Sequence, residues 1–234
     1  MQVTLNATNG TLTLSCIAGL TFTTGDGADD ASMVFTGTVA AINTALEGMS
    51  FDPTPDYFGA ASVQIISDDQ GNTGSGGPLT DEDTVAIMVN SIDDAPINSM
   101  PAAQAVDEDN ALVFSAGAGN AIMIGDIDAT GGDMEVMLIA TNGMLTLSSI
   151  AGLTFTTGDG SNDPTLVFTG TIAAINTALE GMVFDTTLDY FGAASVQIIT
   201  DDQGNTGSGG PLTDDDTVAI TVNALDDTPV NSVP

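Results

Sequence analysis

Carboxylates are the residues of this chain that could do chemistry, and they occur in short clusters. The 234 residues include 32 Asp and Glu but no Lys, Arg or His, which gives a formal net charge of −32. Because no carboxylate can pair with a side-chain cation, a clustered one must stay in water, take up a proton or bind a cation from outside. Calcium suits such clusters, since it takes roughly six to eight oxygen ligands in a flexible geometry.

Two loops carry the acids with the most suggestive spacing. Residues 125–133 alternate oxygen-bearing side chains as an extended loop around an ion would, and residues 201–205 open a second acidic loop. In a two-sheet sandwich these loops should share an end with the segment that leads into the module, so we expect the acids to converge on Ca²⁺. A solvated turn is the alternative for each loop. The candidate ligands in these loops are Asp126, Asp128, Asp201 and Asp202. The earlier copy of the second loop adds Asp68 and Asp69.

The missing basic residues exclude several functions. Nothing can neutralise phosphates, so nucleic acid is excluded as a direct partner, and an anionic membrane surface repels the chain. No segment has the roughly 20 apolar residues of a membrane span, so membrane insertion is not expected. Without His or Lys, neither a hydroxyl nor Cys16 has a base to activate it, and we expect no enzyme activity. The single cysteine permits no disulfide framework, which leaves metal as the staple expected of a secreted protein.

The chain is an internal repeat. Asn9-Gly10 returns 133 positions later as Asn142-Gly143, and the same shift aligns Met1 with Met134. The first copy therefore lacks the equivalent of residues 102–133. We predict an incomplete module over residues 1–98, without its first strands, and a complete module over residues 99–234. Either the sequence is cut within a module, or the missing strands come from another chain by pairing with an open sheet edge.

The hydrophobic pattern of each module is mostly β. Alternation predicts strands near residues 135–140, 144–149, 165–169, 194–200 and 217–222. Asn142-Gly143 predicts a tight hairpin between the first two of these strands. One short helix is expected between Thr171, a capping residue, and Gly181. Residues 189–192 suit a tyrosine-corner-like turn. We expect the acids that start the last strand, such as Asp214, to be solvated.

Several of these stretches carry a family resemblance. Residues 216–223, followed by 226–230, resemble the end of bacterial cadherin-like repeats, and residues 106–112 resemble the start of the next repeat. Residues 142–155 are similar to chondroitin-sulfate-proteoglycan-type repeats. Both types occur in very large bacterial surface proteins and adhesins, and the resemblance covers essentially the whole chain. It implies an all-β fold of tandem Greek-key, cadherin-like β-sandwich modules.

The resemblance also implies calcium at the junctions between modules. It assigns ligand roles to the linker acids, to the acids that open the next module and to the acids of its loop: Asp93, Asp94, Asp107, Glu108, Asp109, Asp126 and Asp128. The linker departs from the Asp-x-Asn-Asp-Asn of animal cadherins, because residues 92–95 read Ile-Asp-Asp-Ala. The number of ions per junction therefore stays open.

These features together predict a calcium-stabilised structural repeat of a large secreted adhesin or extracellular fibre, on a bacterial surface or outside the cell. Its expected partners are calcium ions and neighbouring copies of the repeat. Two alternatives stay open. One is a self-assembling filament subunit completed by strand donation from a neighbouring chain. The other is a module that binds glycan or another cell surface.

Overall fold

A computed structural model of the chain describes residues 1–72, 74–129, 131–205 and 207–226. The chain divides into two compact units, Met1–Ser91 (unit 1) and the residues from Ile92 onward (unit 2). The division comes a little before the expected boundary at residue 98. The reason is that the intervening segment pairs with unit 2, where the Asp93 amide faces the Ser208 carbonyl oxygen at 3.5 Å.

The described residues of unit 1 form seven strands and one helix. The bounds are β1 (Gln2–Thr8), β2 (Gly10–Thr13), β3 (Leu20–Thr24), β4 (Ser32–Gly37), α1 (Val39–Leu46), β5 (Ser50–Pro53), β6 (Gly59–Asp68) and β7 (Thr80–Val89). Five of the strands form a sheet in the order β3-β4-β1-β6-β7, and β2 pairs with β5. β7 is an outer strand of the larger sheet.

Unit 2 repeats these elements and begins with four further strands. The bounds are β8 (Ile97–Ser99), β9 (Gln104–Asp107), β10 (Ala111–Phe114), β11 (Met123–Gly125), β12 (Asp133–Thr141), β13 (Gly143–Thr146), β14 (Thr154–Thr157), β15 (Thr165–Thr171), α2 (Ile172–Leu179), β16 (Met182–Thr186), β17 (Gly192–Asp201) and β18 (Thr213–Asn223). A six-stranded sheet has the order β14-β15-β12-β17-β18-β9, and a three-stranded sheet has the order β10-β16-β13. β8 pairs with β11. β9 runs parallel to β18, and the other pairings are antiparallel.

The six-stranded and three-stranded sheets of unit 2 enclose one hydrophobic core. Val136 and Leu138 from the larger sheet and Phe114 and Phe184 from the smaller sheet are fully buried in the same cluster. Alternate residues of β12 point into this core, as a strand with one buried face requires. The predicted fold class, all-β sandwich modules in tandem with one short helix each, is confirmed. Neither described helix has the length and hydrophobicity to span a bilayer.

The short helix forms for the reasons that the sequence indicates. The Thr171 hydroxyl oxygen accepts a hydrogen bond from the Ala174 amide and caps the first turn of α2. Gly181 lies just beyond the end with φ of 86°, a conformation that favours glycine. Between these limits Ile175, Ala178 and Leu179 share the buried face.

The predicted hairpin at Asn142-Gly143 is wrong, because β12 and β13 belong to different sheets. Asn142 lies at φ of 56°, and its Nδ2 donates to Tyr190 Oη at 2.9 Å and to the Ala193 carbonyl oxygen at 2.9 Å. The Tyr190 hydroxyl itself donates to Ala193 O at 2.7 Å, which is the expected tyrosine-corner-like turn. Gly143 lies directly under Phe184, where a Cβ would come within 2.3 Å of the ring. The turn therefore carries the chain from one sheet to the other.

This close approach makes Gly143 sensitive to substitution. We expect Gly143→Ala to destabilise unit 2 by about 1–3 kcal/mol, because the fully buried Phe184 ring has no room to move aside. Gly117→Ala is the control, since only Ser115 Oγ lies as near as 4.0 Å to a Cβ there. Hydrogen exchange followed by mass spectrometry on peptides from β12 to β16 measures the change. Equal protection in both variants would contradict the prediction.

Candidate metal centre

Acids from three separate segments lie together at one end of unit 2. Asp93 stands in the segment before β8, Asp128 follows β11, and Asp202 follows β17. The first segment is held to the third by the parallel bridge between Ile92 and Ser208. It is held to the second by the Asp94 amide, which donates to Asp128 Oδ2 at 3.2 Å.

Local backbone geometry fixes the two loop acids. Asp126 Oδ1 accepts hydrogen bonds from the amides of Asp128 and Ala129 at 3.0 and 3.1 Å, which closes a tight Asx turn. Asp202 Oδ1 accepts from the Gly204 amide at 2.7 Å and from the Leu212 amide at 2.9 Å, across the base of its loop. Each carboxylate is thus anchored through one oxygen, and the other oxygen is left for the cluster.

Gly207 brings the Asp202 loop against the segment that carries Asp93. A Cβ at Gly207 would lie 2.4 Å from the Asp93 backbone nitrogen and 2.5 Å from the Ile92 carbonyl carbon. The residue also has φ of 102°, so both the space and the backbone conformation require glycine here.

Several carboxylate oxygens of this cluster are buried without a hydrogen-bond partner. Asp93 is 7% exposed and Asp202 is 1% exposed. In the described part of the chain, both carboxylate oxygens of Asp93, and Oδ2 of Asp126 and of Asp202, are buried and accept no hydrogen bond. A buried anion without a partner is strongly unfavourable, and the sequence contains no basic side chain to supply one.

The electrostatics of the cluster favour neutralisation. Burial raises the pKa of the Asp93 carboxyl, and repulsion from Asp202, Asp128 and Asp94 raises it further. Burial also raises the pKa of Asp126, to about 6, with a contribution from its side-chain hydrogen bond with Asp128. Either a proton or an external cation would relieve this repulsion.

The donor set fits a hard cation, because it consists of carboxylate oxygens without nitrogen or sulfur. The carboxylates do not already surround a common point: among residues 1–72, 74–129, 131–205 and 207–226, no three acidic or cysteine side chains have the spacing of a formed metal site. Asp93 nevertheless lies within repulsive range of Asp128 and Asp202. A cation bound here would attract the unpartnered oxygens towards itself, while the backbone hydrogen bonds to Oδ1 hold Asp126 and Asp202 in their turns.

The acids that open the module do not join this cluster in unit 2, and the ligand roles that the resemblance implies for them stay a prediction. Glu108 is buried, and its Oε1 accepts from the Leu225 amide at 2.6 Å. Asp107 Oδ1 accepts from Asn223 Nδ2 at 3.1 Å, and Asp109 Oδ1 accepts from the Asp189 amide at 3.0 Å. These partners lie at the far end of β18, about 30 Å from the Asp202 loop at roughly 3.3 Å per residue.

The remaining predicted ligands lie near turns. Asp201 is half-buried, and its Oδ1 accepts from the Gln203 amide, as Asp68 Oδ1 does from Gln70. Asp69, the counterpart of Asp202, is exposed. Its Oδ1 accepts from the amides of Leu79 and Gly71, and these bonds lower its pKa. Residues 1–91 contain no counterpart of Asp93 or Asp126, so unit 1 has the same turn without the cluster.

One functional feature escaped sequence reasoning. The Asn98 amide donates to Asp214 Oδ2 at 2.6 Å, and Thr200 Oγ1 donates to Asn98 Oδ1 at 2.6 Å. Thr200 and Asn98 are buried, so this polar network fixes the segment that follows Asp93 onto β17 and β18. Asp214 is therefore a structural partner rather than a solvated acid. The recurrence of Asn98 as Asn231 in the repeat was the available signal.

Comparison with known proteins assigns no family. No protein-family model and no curated protein matches the chain. Among solved structures, human mucin-like protocadherin EC1-2 is 14% identical, with 93% of this chain and 85% of that chain covered at a TM-score of 0.34. Mouse cadherin-23 EC22-24 is 15% identical, with coverages of 96% and 54% and a TM-score of 0.30. A cohesin module from a Clostridium perfringens family 33 glycoside hydrolase is 8% identical, with coverages of 58% and 99% and a TM-score of 0.35.

The cluster predicts an unusual pH dependence in the absence of divalent cations. The folded state binds a proton at Asp126 near pH 6, whereas the unfolded state binds it only near 3.8. The free energy of unfolding therefore rises as the pH falls from about 7 to 5. This gain is lost when the pH rises through the pKa that Asp126 has in the folded state. We expect thermal unfolding in chelator to show this rise, and Asp126→Asn to flatten it. Asp69→Asn is the control, and an unchanged slope in Asp126→Asn would contradict the prediction.

Proposed function

We propose that this chain is a calcium-stabilised structural repeat of a large secreted or cell-surface adhesive protein. The observation that carries the proposal is the set of buried carboxylate oxygens of Asp93, Asp126 and Asp202 that have no hydrogen-bond partner, in a chain without basic residues. The internal repeat, the absence of a disulfide framework and the extreme acidity support a soluble extracellular array.

Calcium explains the cluster better than protonation does. At neutral pH the Asp126 carboxyl, with a pKa of about 6, is mostly ionised, so protons alone leave the cluster charged. Magnesium demands a near-ideal octahedron and gives up its waters reluctantly, whereas calcium accepts irregular sets of carboxylate and carbonyl oxygens. Extracellular calcium modules bind with dissociation constants of about 10⁻⁴ to 10⁻³ M. This affinity is modest, so the carboxylates can reach it even though they must move together to bind the ion.

The role of the ion would be structural. Its ligands would come from the segment before β8, the turn after β11 and the loop after β17, three parts of the chain that are far apart in sequence. An ion held by all three cross-links the start of unit 2 to its sheets. A ligand that binds only the folded state stabilises it by about 2.7 kcal/mol at one hundred times its dissociation constant.

Matched substitutions at equivalent positions of the two copies test this proposal. We expect calcium to raise the Tm of unit 2 in the wild-type chain and to bind measurably by isothermal titration calorimetry. Asp202→Asn and Asp93→Asn should weaken binding at least about tenfold, or 1.4 kcal/mol, because each removes a buried negative charge.

Asp69→Asn is the control, because Asp69 makes the same two backbone hydrogen bonds as Asp202 but is exposed. It should keep the wild-type calcium response. The proposal fails if the wild-type chain does not respond to calcium, or if Asp202→Asn and Asp69→Asn respond equally.

A further inference from the structure

Unit 1 exposes an apolar face that is covered in unit 2. Val85 of β7 is 62% exposed, whereas its counterpart Val218 of β18 is 1% exposed. Both residues lie at the same position of a strand that pairs in the same register with its neighbour, so the difference does not come from the strand itself.

The change in burial is confined to one face, which we call the open face. Its members are apolar residues that are half-buried or exposed in unit 1 while their counterparts in unit 2 are buried: Met1, Leu46, Met49, Phe51, Val63, Ile65, Val85, Ile87 and Val89. The rest of the core is unaffected. Leu5 and Leu138 are equally buried, and so are Ala61 and Ala194. Unit 1 is thus complete on one side and uncovered on the other.

Unit 2 shows what covers this face. Its opening segment, residues 102–125, adds β9 to the edge of β18 and β10 to the edge of β16. Phe114, Ile122 and Ile124 of this segment enter the core cluster that contains Val218 and Phe184. The Asn176 side chain of α2 then accepts from the Ile124 amide at 2.8 Å and donates to its carbonyl oxygen at 2.9 Å.

Unit 1 keeps the complementary groups in place. β7 forms the outer edge of its sheet, and β5 pairs only with β2 in the described structure, so one edge of each strand is available. Asn43, the counterpart of Asn176, is exposed on α1. Phe51, the counterpart of Phe184, is half-buried.

We propose that the open face of unit 1 is a docking site for an opening segment of this same repeat type, with the sequence character of residues 102–125. Its first strand would pair parallel with residues 87–90, and its second strand antiparallel with residues 49–52, which are the registers of unit 2 moved to unit 1. Backbone pairing supplies affinity, and the pockets that take Phe114, Ile122 and Ile124 in unit 2 supply specificity.

The occupant is an opening segment that is not already built into a module. The segment within this chain is used by unit 2, where Phe114 is fully buried. If a second copy donated that segment, one open face would close while another opened, with no net gain in buried area. A free segment gains the whole interface, so an opening segment outside residues 92–234 is the occupant that fits, whether it belongs to the same polypeptide or to another.

A labelled peptide of residues 102–125, added to the full chain, tests this inference. Fluorescence anisotropy should show saturable binding of one peptide per chain. A Phe114→Asp peptide should bind at least about tenfold more weakly, since it places a charge in the apolar pocket. The peptide ends before Asp126, so the result does not depend on calcium at the cluster of unit 2.

Protein variants locate the site. Val85→Glu should weaken peptide binding at least about tenfold without unfolding unit 1, because Val85 is already exposed. Ile17→Glu is the matched control, since Ile17 and its counterpart Ile150 are 54% and 56% exposed and so lie outside the open face. Hydrogen exchange should show that the peptide protects β5 and β7 but not β18.

Two results would overturn the inference. The first is the absence of saturable binding, or binding that Val85→Glu leaves unchanged. The second is concentration-dependent oligomerisation of the chain alone, measured by analytical ultracentrifugation and abolished by Val85→Glu, which would make a second copy the occupant.

Discussion

The absence of any basic side chain is the constraint on which the acidic end of unit 2 depends. Most proteins that bury carboxylates pair them with Arg or Lys, but this chain has only uncharged donors, namely backbone amides and polar side chains. Those amides are used at Asp126 and Asp202, and each satisfies one oxygen only. The second oxygens of these two residues and both oxygens of Asp93 are buried without a hydrogen-bond partner, and an external positive charge at this end of unit 2 would stabilise them.

Much of this architecture could be predicted from local sequence. The cap at Thr171 and the glycine at Gly181 bound the helix, because both act within one turn of the chain. The meeting of the Asp93, Asp126 and Asp202 segments could be predicted from sandwich connectivity alone. Calcium binding by those segments remains a proposal, which rests on the chemistry of their carboxylates.

Other features depended on distant partners. Asn142-Gly143 has the composition of a hairpin turn, yet it connects strands of two different sheets. Its contacts are with the Tyr190 hydroxyl and the Phe184 ring, both more than 40 positions away in the sequence. The acids near Glu108 follow β9, and the parallel pairing of β9 with β18 carries them to the opposite end of the unit. The contrast between Val85 and Val218 has the same origin, because nearly identical strands differ in burial only through a segment elsewhere in the chain.

The most direct test of the central claim is a crystal structure of the chain grown with saturating calcium, with anomalous scattering used to locate the ion. The account predicts a calcium peak about 2.3–2.6 Å from carboxylate oxygens of Asp93, Asp202 and the Asp126–Asp128 turn. Electron density with only water at this end of unit 2, and no ion beside the oxygens that lack hydrogen-bond partners, would contradict it.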